Sequence, residues 1–249
     1  MKSVYQFLFL FISLLMVACQ NAPRPDYVEQ PHIVQKRQEL QQRLLKLLPE
    51  EQRSHASARQ EATWLADTAY KASAAIARHN DPIFVNWLNN RVVNTRKNVR
   101  HRGLCWHYQH DLYRELRRRP LHYFTLGCCV KDQGRGGEHH VVYLAPKNGP
   151  RSKVILLDAW WYAGRLRVED EKEADGWMDD PRSVANLNRI YPAGHKRPIE
   201  HWSMVRTGTR YADYIYSDLP EARKTTQWQY MQEQIKQGMK RRSGKPYDY

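Results

Sequence analysis

The chain has 249 residues, with 40 Lys+Arg against 26 Asp+Glu, a formal charge of +14 and a mean hydropathy of -0.80. That length suits one domain of about 150–200 residues with appendages, and 41% apolar with 27% charged residues exclude a wholly disordered chain and a polytopic membrane protein. The positive excess attracts acidic partners, whether phosphate polymers, anionic lipid headgroups or acidic glycans, without selecting among them.

At the N-terminus, Lys2 precedes an apolar run from Val4 to Ala18 that is too short to span a bilayer comfortably, and polar, proline-containing sequence follows at once. Leu15-Met16-Val17-Ala18-Cys19 resembles the lipobox of a bacterial lipoprotein signal. The resemblance implies cleavage before Cys19, diacylation of its sulfur and, with Gln20 next, outer-membrane placement facing the periplasm. An ordinary cleaved signal or a weak membrane anchor is the alternative. The expected division is a signal peptide over 1–18, a Pro-rich tether over 19–32, an N-terminal helical segment over 33–56, a main domain over 57–216 and a basic extension over 217–249.

With Cys19 assigned to lipid, Cys105, Cys128 and Cys129 remain. An odd number in an oxidising compartment leaves at least one thiol free. Vicinal Cys128–Cys129 pairing is strained, and Cys105 with either one is the other option.

Three helices come first. Ile33, Leu40, Leu44, Leu45, Leu47 and Leu48 have mostly helical spacing before Pro49, and Trp64, Leu65, Ala69, Ala72 and Ile76 give an apolar face to a run from about Ser57 to Arg78. Asp81-Pro82 reads as an N-cap and first-turn proline for a third helix carrying Phe84, Trp87, Leu88 and Val92. After Gly103, Leu104, Tyr108, Leu112 and Leu116 form one stripe ending before Pro120. Cys105 therefore falls at a helix N-terminus, where unpaired N–H groups stabilise a thiolate and an oxyanion.

The texture then turns to strands: Tyr123–Val130, Val141–Ala145 and Val154–Leu157, separated by Gly-, Pro-, Lys- and Asn-bearing loops. Gly164–Val168 reads as one more strand and Glu169–Glu173 as a solvated acidic loop. Helices followed by an antiparallel sheet make an α+β domain, with the cysteine helix packed on the sheet.

The reactive groups fall in order. Cys105 opens a helix, His139 and His140 open one strand, and Asp158 closes the next. A thiol nucleophile needs a base, and the base needs an acid to fix its tautomer. Only one of His139 and His140 can point toward the cysteine as the base, because successive strand residues face opposite ways. Each residue also has a plain structural role open to it, Cys105 as a core thiol and Asp158 as a strand-end cap. Trp106 and Trp160, with Trp161 and Tyr162, are candidate walls of a substrate cleft, although aromatic packing accounts for them equally well. His107 and His110 stand three apart on the cysteine helix, but no C-x-x-C or H-x-x-x-H spacing supports a metal site, and neither metal nor cofactor is expected.

Gly103-Leu104-Cys105-Trp106 resembles the G-x-C-W start of the nucleophile helix in the transglutaminase-like superfamily, a branch of the papain-like cysteine enzymes. Glu138-His139-His140-Val141-Val142 and Leu156-Leu157-Asp158-Ala159-Trp160 are similar to its histidine and aspartate motifs, in the family order, and the Glu-His placement favours His139 as the base, with His140 as the alternative. The match runs from about Arg102 to Trp161 and departs from the family pattern at Val141, where an aromatic is usual nearby, and at Ala159, where proline is usual. The resemblance implies a papain-like fold and thiol acyl chemistry on an amide or ester carbonyl, with hydrolysis by a peptidase or amidase preferred over amine transfer. A lipoprotein using the same fold only for binding, in envelope assembly or secretion, is the rival reading.

Trp202, Val205, Tyr211, Tyr214, Ile215 and Tyr216 are expected to complete the packing. Between Arg223 and Lys245, seven Lys/Arg accompany the single acid Glu233, with Trp228, Tyr230, Met231 and Ile235 interleaved. This end reads as an amphipathic helix and basic tail for an anionic lipid or glycan surface, or as a solvated terminus. For an exported chain, charge alone gives nucleic acid no weight as a partner.

Overall fold

The computed structural model describes residues 22–80, 82, 85, 103–133, 138–150, 153–170 and 176–196. The leader with Cys19, the third helix after Asp81-Pro82 beyond isolated positions, and the aromatic and basic C-terminal stretches lie outside the described residues. Of the segment read as a tether, the part from Pro25 is packed against the domain. Pro25–Glu29 forms a 3-10 turn whose Tyr27 and Val28 are buried. Two adjacent apolar side chains suffice to dock this short proline-rich stretch, and the prolines and polar residues around them hide that capacity.

Helix α1 (Pro31–Leu47) begins with proline at its first position, where a missing N–H costs nothing. Its Ile33, Leu40, Leu44 and Leu45 face inward. After the single turn α2 (Glu50–Arg53), helix α3 (Ala56–Asn80) buries Ala58, Ala62, Ala66, Ala69 and Ala77 along one face, and small side chains there let neighbouring backbones approach closely. Arg37 bridges to Asp67 and ties α1 to α3. Because α1 and α3 share one core with the sheet, the helical segment expected over 33–56 is an integral layer of the same domain.

Helix α4 (Cys105–Leu116) packs between α3 and the sheet, and all twelve of its residues are buried, Arg114 included. Strands β1 (Phe124–Lys131), β2 (His139–Pro146), β3 (Ile155–Asp158), β4 (Arg167–Asp170) and β5 (Trp177–Asp179) form one antiparallel sheet in the order β4-β3-β2-β1-β5. Helix α5 (Pro181–Ile190) follows, capped by Asp180, whose carboxylate accepts from the Ser183 N–H at 3.0 Å. This mixed α+β architecture agrees with the sequence expectation.

Two elements differ from it. The fourth strand begins at Arg167, because Ala163 (φ 49°) and Gly164 (φ 88°) make a left-handed turn that cannot extend a strand. Glu169, expected in a solvated loop, is a buried strand residue whose carboxylate meets Arg167 Nε at 2.6 Å. Residues two apart on a strand share a face, which brings the pair together.

One side chain fixes the start of the sheet. The Glu61 carboxylate on α3 accepts the N–H groups of His122 at 2.8 Å and of Tyr123 and Phe124 at 3.1 Å each. Replacing Glu61 with alanine orphans three donors at the entry to β1. We expect a loss of about 2–3 kcal/mol, read as a lower urea midpoint with an unchanged m-value.

Candidate active site

The cysteine helix is set up by its first turn. Leu104 is the extended N-cap, and its carbonyl accepts from the His107 N–H at 3.0 Å. The His107 side chain reaches back, Nδ1 accepting from the N–H groups of Leu104 at 3.1 Å and Gly103 at 3.3 Å. This is one arm of a capping box, with imidazole where glutamate is usual. Gly103 sits at φ 130°, backbone that L side chains rarely adopt, and its carbonyl accepts from the Trp160 indole at 2.8 Å. The residue two before Cys105 is thus held from both sides, by the cysteine helix and by the chain leaving β3. His107, considered with His110 for a metal, serves instead to cap the helix, its ring stacked on Trp106 at 3.7 Å. Among the described residues, no group of three or more His, Cys, Asp and Glu side chains is placed to hold a metal ion.

Gln109, one turn on, donates to the carbonyls of Cys129 at 3.1 Å and Val141 at 2.9 Å, fastening α4 onto β1 and β2. Cys105 as first helical residue then lies at the edge of β2, its Sγ 3.9 Å from the Glu138 carbonyl oxygen. The N–H of a first-turn residue such as Cys105 has no acceptor within its own helix.

His139 and His140 leave β2 on opposite faces. His139 Nε2 meets Asp158 Oδ2 at 2.8 Å, whereas His140 Nε2 meets Glu138 Oε1 at 2.8 Å. Of the two, only His139 shares the face of Asp158 and meets its carboxylate. Asp158 is itself oriented by the turn that follows: Oδ1 accepts from the N–H groups of Trp160 at 2.9 Å and Trp161 at 3.1 Å. With Nε2 committed to Asp158, the nitrogen left for the thiol is Nδ1. Burial pulls the His139 pKa down, but the charge and hydrogen bond of Asp158, followed by those of the Cys105 sulfur, overcome it and raise the pKa from 6.5 to about 10. The ring is held by Asp158 at Nε2, while its buried Nδ1 makes no hydrogen bond among the described residues and the Cys105 Sγ is directed to the Glu138 carbonyl.

Three tryptophans surround that ring, with centroids at 5.0 Å for Trp160, 5.7 Å for Trp161 and 5.6 Å for Trp177. Trp106 and Trp160, taken from sequence as cleft walls, are buried in the core. Trp177 was not foreseen, because a three-residue strand has too few positions to show a period. It sits on β5 one strand beyond Lys131, the register partner of His139.

No family model, curated protein or solved structure matches this chain. The site is therefore read from its own geometry. No disulfide joins Cys105, Cys128 or Cys129 among the described residues. Cys128 points into the main core and Cys129 into the smaller apolar cluster on the other face of the sheet, which keeps the adjacent sulfurs apart. Burial, then the nearby Asp180 and Cys129, push the Cys128 pKa well up. It is an inert thiol beside a differently placed one.

Proposed function

We propose that this chain is a lipid-anchored cysteine hydrolase of the bacterial cell envelope, with a papain-like, transglutaminase-like fold, that cleaves an amide bond in a peptide or protein. The observation that carries the reading is the 2.8 Å contact of His139 Nε2 with Asp158 Oδ2, on a buried histidine whose Nδ1 has no hydrogen-bond partner among the described residues and whose pKa the Cys105 sulfur helps to raise. Lys2, the short apolar run and Leu15–Cys19 support the export and anchoring part, and the three ordered motifs support the family part.

In the reaction this geometry favours, His139 Nδ1 holds the proton taken from Sγ, and the sulfur attacks the substrate carbonyl carbon. The Cys105 N–H donates to the oxyanion that forms. Collapse expels the amine, which takes the proton from the imidazolium, and leaves a thioester on Cys105. Neutral His139 then draws a proton from water, whose oxygen attacks the thioester; the carboxylic acid leaves and the thiol returns. Asp158 keeps the tautomer fixed throughout and stabilises the imidazolium. An amine in place of water gives transamidation, but water is the abundant acceptor.

Iodoacetamide at pH 7, followed by peptide mapping, tests this reading. Cys105 is expected to alkylate first, with Cys128 and Cys129 unmodified in the folded protein, and His139→Ala is expected to slow Cys105 at least tenfold. Cys105 no faster than Cys128 would overturn the proposal. A second reading, binding without chemistry, is favoured by enclosure: Cys105 is 5% exposed and His139 8%. That reading requires an unreactive Cys105.

A further inference from the structure

Away from the cysteine, the 3-10 turn, α1, one residue of α3 and the stretch from Tyr162 to Val168 enclose a groove of about 770 Å³. That volume falls in the range of small-molecule sites. Five cations line it, Arg24, Lys36, Arg43, Arg165 and Arg167, against the single acid Glu39. Asp170 pairs with Arg43 and Glu169 with Arg167 from outside the lining, and positive charge still exceeds negative. The buried Nε of Arg43 has no hydrogen-bond partner among the described residues. Like-signed charge converging in a low-dielectric cleft focuses potential on whatever enters it, and several guanidinium groups together match the oxygens of a phosphate better than those of a lone carboxylate.

Tyrosines complete the lining. Tyr27 carries Arg165 over its ring at 5.9 Å, Tyr70 is buried at the base and Tyr162 is exposed at the rim. Burial first, then Tyr27 and Glu39, push the Tyr70 hydroxyl up to about 12 against the pull of Arg43, so it remains a neutral donor. Rings with polar tips beside cations suit a ligand that is anionic at one end and apolar or flat behind it.

We propose that this groove binds a phosphate-bearing ligand. Position adds the source: Pro23, which lines the groove, stands four residues after Cys19, and four residues of extended chain reach at most about 14 Å. A chain acylated at Cys19 would hold the groove at the level of lipid headgroups, a step that rests on the lipoprotein reading, whereas the phosphate site itself does not.

The test uses the full chain carrying Cys19→Ser, so that no acyl group contributes. Pyrophosphate titrated by calorimetry probes the free phosphate, and co-sedimentation with phosphatidylglycerol–phosphatidylcholine vesicles, against phosphatidylcholine alone, probes the headgroup. Arg24 and Lys36 are exposed, so the double variant Arg24→Glu, Lys36→Glu is expected to fold, checked by circular dichroism. Lys147→Glu, Lys153→Glu at the β2–β3 turn makes the same charge change elsewhere. Binding to either probe that weakens at least tenfold in the groove variant and less than twofold in the turn variant supports the site, and the responding probe identifies the source. Binding to neither probe, or equal loss in both variants, overturns it. Iodoacetamide labelling of Cys105 is expected to be the same in the groove variant as in the parent, which separates this result from that of the cysteine chemistry.

Discussion

Replacing Asp158 with asparagine is expected to lower acylation of Cys105 by a generic activated ester about 10²–10⁴-fold, the range that a positioned base contributes. The substitution keeps the shape and can keep Oδ1 on the Trp160 and Trp161 amides. At Oδ2 it sets an NH₂ donor against His139 Nε2, a nitrogen 2.8 Å away that now donates. Nε2 must then accept, so the ring keeps a single proton, on Nδ1, and that nitrogen has no lone pair with which to take the proton of the Cys105 thiol. The accompanying stability signature has a defined sign. A histidine raised from 6.5 to about 10 stabilises the fold fully below pH 6.5 and loses that contribution as pH climbs through about 10. The difference in Tm between the parent and Asp158→Asn is therefore expected to be largest near pH 6 and to shrink steadily towards pH 10.5. Acylation within threefold of the parent, or a Tm difference constant across that window, would show that Asp158 does not govern the His139 proton.

Particular residues show what a sequence reveals of such a site. Cys105 at a helix start follows from Gly103 and the four-residue spacing of Leu104, Tyr108, Leu112 and Leu116, since periodicity fixes where a helix lies. That His139 and His140 part company follows from strand parity alone. Which of them meets Asp158 does not, because it depends on the register of β2 on β3, where Val142 pairs with Leu157, and register is a property of two segments together. The turn at Ala163 and Gly164 displaced β4 from its expected start, since a positive φ at alanine carries no signature in composition. Trp177 reaches His139 only because β5 adds to the far edge of the sheet beside β1, a pairing between segments nearly fifty residues apart. The helix-capping role of His107 was hidden by residue type, since imidazole is an uncommon cap and two histidines three apart suggest metal first.

Gly164→Ala is expected to destabilise the domain by about 2–5 kcal/mol, a large share of the stability of an ordinary domain. Two terms add. At φ 88° a Cβ strains the backbone by about 1–2 kcal/mol. The added methyl would also lie 2.3 Å from Ala77 Cβ and 2.8 Å from the Ser73 carbonyl oxygen, far inside ordinary contact distance. Both neighbours belong to the body of α3, which cannot recede without disturbing Ser73 and Ala77 in the core, and overpacking of this kind costs about 1–3 kcal/mol. The position matters for the site because this turn carries the chain away from Asp158. Gly164 N–H donates to the Ala159 carbonyl at 2.9 Å and Ala163 N–H to that of Trp160 at 3.0 Å, so the residues that orient Asp158 and pin Gly103 are braced through Gly164 against α3. Adding Ala77→Gly removes the nearer clash but neither the strained φ nor the Ser73 carbonyl. The double variant is therefore expected to lose less than the sum of the two single losses, with urea denaturation giving the coupling. Strict additivity would mean that the turn does not rest on α3 at Ala77, and a loss under about 1 kcal/mol for Gly164→Ala alone would mean that it does not rest there at all.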